Sequence, residues 1–274
     1  MLDLVDDPAS FVTLRYRVRP EPEQWVLPEG TVPESIPHDH TAQRIRAVLD
    51  NWAQALPRPV RIARNLAVRW LERAPQIGID PDVCVLDPPP PKVEQLGSLC
   101  LWKPGHLPPT ICFEVVSANH PHKDYRDVHE RYAALRTQEL VVFDPRLAGP
   151  ASLGGPILLQ LWRRDACGAF DRVAATDGPI FSEVLGCWLS ANDGELVFSH
   201  DRAGNEPWQT REEELSAHGE RERAEKERER AEKERERAEK ERERAEKERA
   251  LEAERELRAR LEALERRLEG DGGS

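Results

Sequence analysis

The heptad Ala-Glu-Lys-Glu-Arg-Glu-Arg begins at Ala224, Ala231 and Ala238, with a partial copy at Ala245, and it divides the chain into two kinds of polymer. Charged side chains are almost never fully buried, so this stretch has nothing from which to build a globular core. Every residue in it is a strong helix former. Glu229 with Lys233, Glu236 with Lys240, and Glu243 with Lys247 stand in the favourable i,i+4 order. The expected structure is a helix of roughly 60 residues, about 90 Å long. A coiled coil needs two apolar seam positions per heptad, and the repeat offers one, filled by alanine. The repeat therefore reads as a charged single helix. Leu257, Leu261, Leu264 and Leu268 form a short sticky segment through which a homodimer could form.

The fold must then lie in the first 205 residues. Of the 40 basic and 51 acidic residues, 19 and 24 follow residue 205, which leaves 21 and 27 in the head, with six of the seven tryptophans. That is enough for one substantial core. An acidic head argues against a broad electrostatic grip on nucleic acid, so any contact with phosphate must be local. Lysine is scarce there, at positions 92, 103 and 123 only. Five cysteines without a CxxC pair suit buried, reduced thiols. No stretch approaches the roughly 20 apolar residues of a membrane span, and the N-terminus lacks a cationic start, so the expected location is cytoplasmic.

Along the head, a Pro-rich segment with a β-like run at 11–18 precedes a helix. Thr41 is its candidate cap, Ile45, Val48, Leu49, Trp52 and Leu56 form its apolar face, and Pro57 ends it. Strands are expected at 60–63 and 66–71, and again from Asp82 to Leu86. An excursion follows the prolines at 88–91. Further strands at 111–117 and 140–143 flank a helix beginning at Asp124, with Tyr125, Val128, Tyr132 and Leu135 facing inward. A hairpin at 157–162 and 170–174, a short apolar helix or turn at 182–189 and a last strand at 195–198 complete the head.

Two of these strands each carry one carboxylate: Asp82 in Pro-Asp-Val-Cys-Val-Leu and Glu114 in Ile-Cys-Phe-Glu-Val-Val-Ser. Such residues rarely sit in a core strand unless paired or bound to a cation. Alternation puts Asp82 with Cys84 on one face, and Cys112 with Glu114 and Val116 on one face. On neighbouring strands about 4.8 Å apart the two carboxylates can converge on one hard cation such as Mg²⁺, with the Val115 carbonyl as a third oxygen. For Asp82 alone, a capped turn at a strand start is the competing account. For Asp124 it is a helix N-cap, and for Tyr132 core packing. His38 and His40, ahead of the first helix, read as capping residues or phosphate contacts.

The order of motifs is similar to one family. A Pro-Asp strand, a strand ending Glu-Val-x-Ser (Glu114 to Ser117), a ten-residue step to Asp124, then Tyr132-Ala133 and a Val-Val-Phe-Asp-Pro strand resemble the Uma2 (DUF820) family. It is a bacterial branch of the PD-(D/E)XK nuclease superfamily. Phe181-Ser182-Glu183-Val184-Leu185-Gly186 is similar to a later block of the family, one residue shorter before its glycine, and the resemblance spans roughly residues 35 to 200. It implies an α/β (α+β) restriction-endonuclease-like mixed sheet flanked by helices. It further implies Mg²⁺ or Mn²⁺ held by Asp82, Glu114 and the Val115 carbonyl, and DNA as the substrate.

A lysine normally completes such a site. The simplest pattern puts it at Val116, and Uma2-like sequences put it at Val128, so this chain departs from both. Lys123 is the candidate replacement, with Arg126, Arg131, His120, His122 and His129 as the other cations near the motif. Asp124, Arg126, Tyr132 and His122 form a supporting set. Three readings follow: a Mg²⁺-dependent endonuclease of reduced activity, an inactive nuclease fold serving as a binding or assembly module with a helical spacer, and an oligomerising structural protein. The expected organisation is an extension (1–34), the nuclease domain (35–205), a charged helical or coiled-coil tail (206–269) and a disordered end (270–274).

Overall fold

A computed structural model describes residues 36–117, 121–126 and 128–271, with side chains described through Arg260, Gln95 excepted. The expected edge strand at 11–18 lies outside the described residues. The chain divides into two compact units, one ending at Glu213 and one spanning Glu214–Ser274.

The first unit is built on a six-stranded sheet. Its strands are β1 (Arg61–Arg64), β4 (Val83–Leu86), β6 (Ile111–Val115), β7 (Glu139–Phe143), β8 (Leu159–Arg164) and β9 (Phe170–Thr176), adjacent in that order. Only β6 and β7 run parallel; the other neighbours are antiparallel. Two small sheets accompany it. In one, β2 (Ala67–Arg69) lies between β3 (Gly78–Ile79) and β5 (Ser98–Cys100), and in the other β11 (Cys187–Asn192) lies between β10 (Ile180–Ser182) and β12 (Glu195–Ser199).

Helix α1 (Ile36–Ala55) precedes the sheet, and α2 (Pro121–Arg126) and α3 (Val128–Leu135) lie in the crossover between β6 and β7. The central strands are apolar at nearly every position because both faces are covered. Val83, Val85, Ile111, Phe113, Val115, Val141 and Phe143 pack with α1 and the β10–β12 sheet. Cys84, Leu86, Cys112, Leu140 and Val142 pack with Val128, Tyr132 and Leu135 of α3 and with Val68 and Leu99 of the other small sheet. The expected mixed sheet with flanking helices is thus the observed architecture.

Three local expectations are corrected. Helix α1 begins five residues before Thr41, whose hydroxyl bonds back to the Pro37 carbonyl inside the first turn instead of capping it. Asp124 lies within α2, not ahead of it, so it is not the N-cap. The apolar run 182–189 is not a helix: it finishes β10, turns at Gly186 with φ +66°, and enters β11. Four of the five free cysteines are buried, and Cys167 is exposed.

Helix α4 runs from Arg211 to Asp271. A reciprocal capping box starts it: the Glu213 amide donates to Thr210 Oγ1 at 3.2 Å, and the Thr210 amide donates to Glu213 Oε2 at 2.8 Å. The expected i,i+4 pairs form at 3.9 Å (Glu229–Lys233), 4.0 Å (Glu236–Lys240) and 3.2 Å (Glu243–Lys247), all exposed. Leu257 is exposed as well. No helix among the described residues is long and apolar enough to cross a membrane.

Candidate metal and nuclease site

The antiparallel register of β4 and β6 pairs Val83 with Phe113 and Cys84 with Cys112. Continued by one residue, it sets Asp82 opposite Glu114, on the face shared by Cys84 and Cys112. Both carboxylates are buried, Glu114 completely. They lie at the carboxyl end of β6 beside its parallel neighbour β7, the edge at which open α/β sheets bind ligands.

Each carboxylate has a defined holder. Asp82 Oδ2 accepts the Val115 amide at 2.7 Å, which ties the start of β4 to the end of β6. Glu114 Oε1 accepts the Tyr132 hydroxyl at 2.6 Å. Tyr132 is therefore more than core packing, because its hydroxyl orients the carboxylate from α3. Glu114 Oε2 has no hydrogen-bond partner among the described residues and faces Lys123 Nζ at 3.9 Å. Asp124, on the same helix as Lys123, is also buried, and its Oδ1 likewise has no hydrogen-bond partner among the described residues.

The electrostatics follow from this crowding. Burial pushes the Glu114 carboxyl well above the usual carboxylate range, and the Asp82 charge adds to the rise. Lys123 and the Tyr132 hydroxyl oppose it. Burial likewise pushes Asp124 up to about 7; the Asp82 charge adds, while Lys123, His38 and the Ser117 backbone oppose. Glu114, joined by Asp124 and Asp82, holds the Lys123 ammonium above its ordinary value against a contrary effect of burial.

The remaining sequence candidates separate clearly. His122 and Arg126 are exposed on α2, and no hydrogen bond or ion pair joins them to Asp82 or Glu114. His129 stacks on Trp162 with ring centroids 4.5 Å apart. His120 lies outside the described residues. Val116 and Val128, the two positions where a lysine would be expected, are buried in the apolar cluster around Tyr132.

The residue that sequence reading undervalued is His38. It is the one buried member of the first five residues of α1. Its Nε2 lies 3.1 Å from Asp82 Oδ2 and 2.8 Å from the Val115 carbonyl oxygen. A cavity of about 230 Å³ opens beside it, lined by His38, Thr41, Val115, Val116, Pro145 and Arg146 among others.

A sequence model of the Uma2 family, described as "putative restriction endonuclease", matches residues 11–148. The chain belongs to the Uma2 family. The Uma2 match takes in Asp82, Glu114, Lys123, Asp124 and Tyr132, and it ends before the Ser182–Gly186 block. Among solved structures, a putative nuclease belonging to DUF820 from Anabaena variabilis ATCC 29413 is similar at 12% identity and a TM-score of 0.36. The likeness covers 57% of this chain and 76% of that one. No curated protein matches the chain.

Do these residues fit a divalent cation? No three His, Cys, Asp or Glu side chains gather into a metal cluster among the described residues. The donor set is instead two carboxylates and a backbone carbonyl. This suits an ion that keeps several waters and takes only one or two protein carboxylates, as Mg²⁺ does. The bare Glu114 Oε2 and Asp124 Oδ1, buried and without hydrogen bonds, are what such an ion would satisfy.

Proposed function

We propose that the chain is a divalent-metal-dependent endonuclease that hydrolyses DNA phosphodiester bonds. The observation that carries this reading is a buried carboxylate, Glu114, set opposite Asp82 with one oxygen left for a cation and a lysine 3.9 Å away, in a chain of the Uma2 family. Asp82, Glu114 and the Val115 carbonyl would hold the ion. When bound, a divalent cation at such a site polarises the phosphodiester and makes an attacking water more acidic.

The chain's own residues do the rest. The Val115 amide and Tyr132 fix the two carboxylates before substrate arrives, so no reorganisation is needed when charge develops. Lys123 acts as a charge and not as a base: its pKa is raised, so the ammonium keeps its proton at neutral pH. It would steady the negative charge that builds on the phosphate, the role of the lysine missing at Val116 and Val128. The cavity beside Val115, with the exposed Arg146 at its wall, offers room for the phosphate backbone next to the carboxylates.

Plasmid nicking tests the reading. Cleavage that requires Mg²⁺ or Mn²⁺ and vanishes in Asp82→Ala and Glu114→Ala is the expected result; equal cleavage by wild type and Asp82→Ala would sink it. The burial of Val116 and Val128 among apolar side chains favours a second reading, an inactive nuclease fold that binds without cutting. Metal binding without hydrolysis, even at high enzyme concentration, would select it.

A further inference from the structure

We infer that Tyr125 is a positioning residue for Lys123: its hydroxyl, fixed to Asp144 and Ile157, holds α2 so that the Lys123 ammonium stays beside the Glu114 carboxylate. The inference rests on the role that the proposed function gives to Lys123 and goes beyond it by naming what sets the place of that charge.

Three observations lead there. First, α2 brings little of its own to hold it. It is six residues long, Asp124 is its one buried residue, and Lys123 reaches Glu114 from it across 3.9 Å. So short a helix is not stable by itself, and its place must be fixed from outside. Second, Tyr125 supplies an anchor. Its hydroxyl accepts the Ile157 amide at 2.9 Å, and Asp144 Oδ2 at 3.0 Å and the Ile157 carbonyl at 3.1 Å are acceptors for its proton. Burial, and after it the Asp144 charge, push the hydroxyl up to about 12, so it keeps that proton at neutral pH. Gly149 and Gly155 flank the ring, and a Cβ on either would crowd it.

Third, the anchor and the charge belong to one circuit. Helix residues turn by about 100° each, so Lys123 and Tyr125 leave α2 about 160° apart. One side chain grips the 144–157 segment while the other faces the carboxylates. That segment starts two residues after Val142, the partner of Glu114 in the β6–β7 ladder. Asp144 is itself held by accepting the Ala148 and Gly149 amides at 2.9 and 2.8 Å. Glu114, Val142, Asp144, Tyr125 and Lys123 thus close a loop through two strands and one helix, and the Tyr125 hydroxyl is a link in it. Without that link α2 can shift, and a misplacement of about 1 Å in a site can cost about 10²-fold in rate.

A double-mutant cycle on the full chain tests this, read by single-turnover DNA cleavage with Mn²⁺. Tyr125→Phe is expected to slow the wild type by about 10-fold or more, with Mn²⁺ affinity unchanged, and to have no further effect in Lys123→Met. Equal slowing in both backgrounds, or none in the wild type, would overturn the inference. Gly149→Ala, which presses on the same ring, should repeat the pattern and decides the matter if Tyr125→Phe does not fold. A second readout needs no activity: acetylation of Lys123 by acetic anhydride, followed by peptide mass spectrometry. Glu114 is foremost in raising the pKa of this ammonium, so its displacement in Tyr125→Phe should free more amine and speed the labelling several-fold. An unchanged labelling rate would contradict the positioning. Cleavage absent from every form would remove the proposed function and leave the labelling to decide what holds Lys123.

Discussion

Lys123 Nζ stands 3.9 Å from Glu114 Oε2 although neither Val116 nor Val128 is a lysine. Val116 and Val128 fill apolar space around Tyr132, and among the described residues the lysine that pairs with these carboxylates arrives from α2. Lys123→Met is expected to slow DNA cleavage by about 10²- to 10³-fold while leaving Mn²⁺ affinity unchanged or raised, because one preorganised charge is lost and no ligand is. Lys123→Arg should recover part of the rate, since an arginine can hold charge. Single-turnover cleavage alongside a metal titration checks both. Much of this site was legible in the sequence. Strand alternation placed Asp82 and Glu114 on one face, and lysine scarcity singled out Lys123. The partners of those residues were not legible: His38 lies 77 positions from Val115, and Tyr132 lies 18 from Glu114, and neither contact follows from local periodicity. The helical spacing that put Tyr132 on an inner face explained its burial and hid its hydroxyl's role.

The elements are tied together by two buried polar centres that lie outside the site. Glu139 at the start of β7 accepts Arg163 Nε of β8 at 2.8 Å, the Ser182 hydroxyl of β10 and the Glu183 amide at 2.9 Å, and so joins the main sheet to the β10–β12 sheet. Glu139→Ala should lower the unfolding free energy by about 1 to 3 kcal/mol in urea titration, because the Ser182 hydroxyl and the Glu183 amide lose their acceptor, while Arg163 keeps its ion pair with Glu183. Tyr125 of α2 is the other centre. Its hydroxyl lies 3.0 Å from Asp144 Oδ2 and accepts the Ile157 amide at 2.9 Å, while a Cβ at Gly149 would overlap its ring. Gly149→Ala is expected to cost about 1 to 3 kcal/mol by overpacking. It should also depress cleavage, since the displaced helix carries Lys123 and Asp124. Sequence reading recovered the long central strands and both helical regions, whose apolar patterns are sustained. It misread 182–189 because a three-residue strand, a turn and a longer strand together spell an apolar run that helix and strand periods fit equally well. The start of α1 was missed because Thr41 offered a better cap than the proline-led turn before it.

The whole chain combines an acidic folded unit with a long, solvated helix, and neither offers the basic surface of a general DNA binder. The helix stands on intrinsic propensity and on exposed i,i+4 pairs such as Glu243–Lys247, each worth only about 0.3 to 0.5 kcal/mol and screened by salt. Helical circular dichroism should therefore fall modestly between about 10 mM and about 1 M NaCl, a range over which the screening length shrinks about tenfold. An unchanged signal would mean that the helix is stabilised by association. An acidic unit can engage a phosphate backbone only where cations are concentrated, and the proposed function assigns that place to a cation at Asp82 and Glu114. Anomalous diffraction from Mn²⁺-soaked crystals tests that claim most directly. The account predicts a strong peak within bonding distance of the Asp82 and Glu114 carboxylates and the Val115 carbonyl; well-ordered crystals with both carboxylates in place and no peak between them would contradict it.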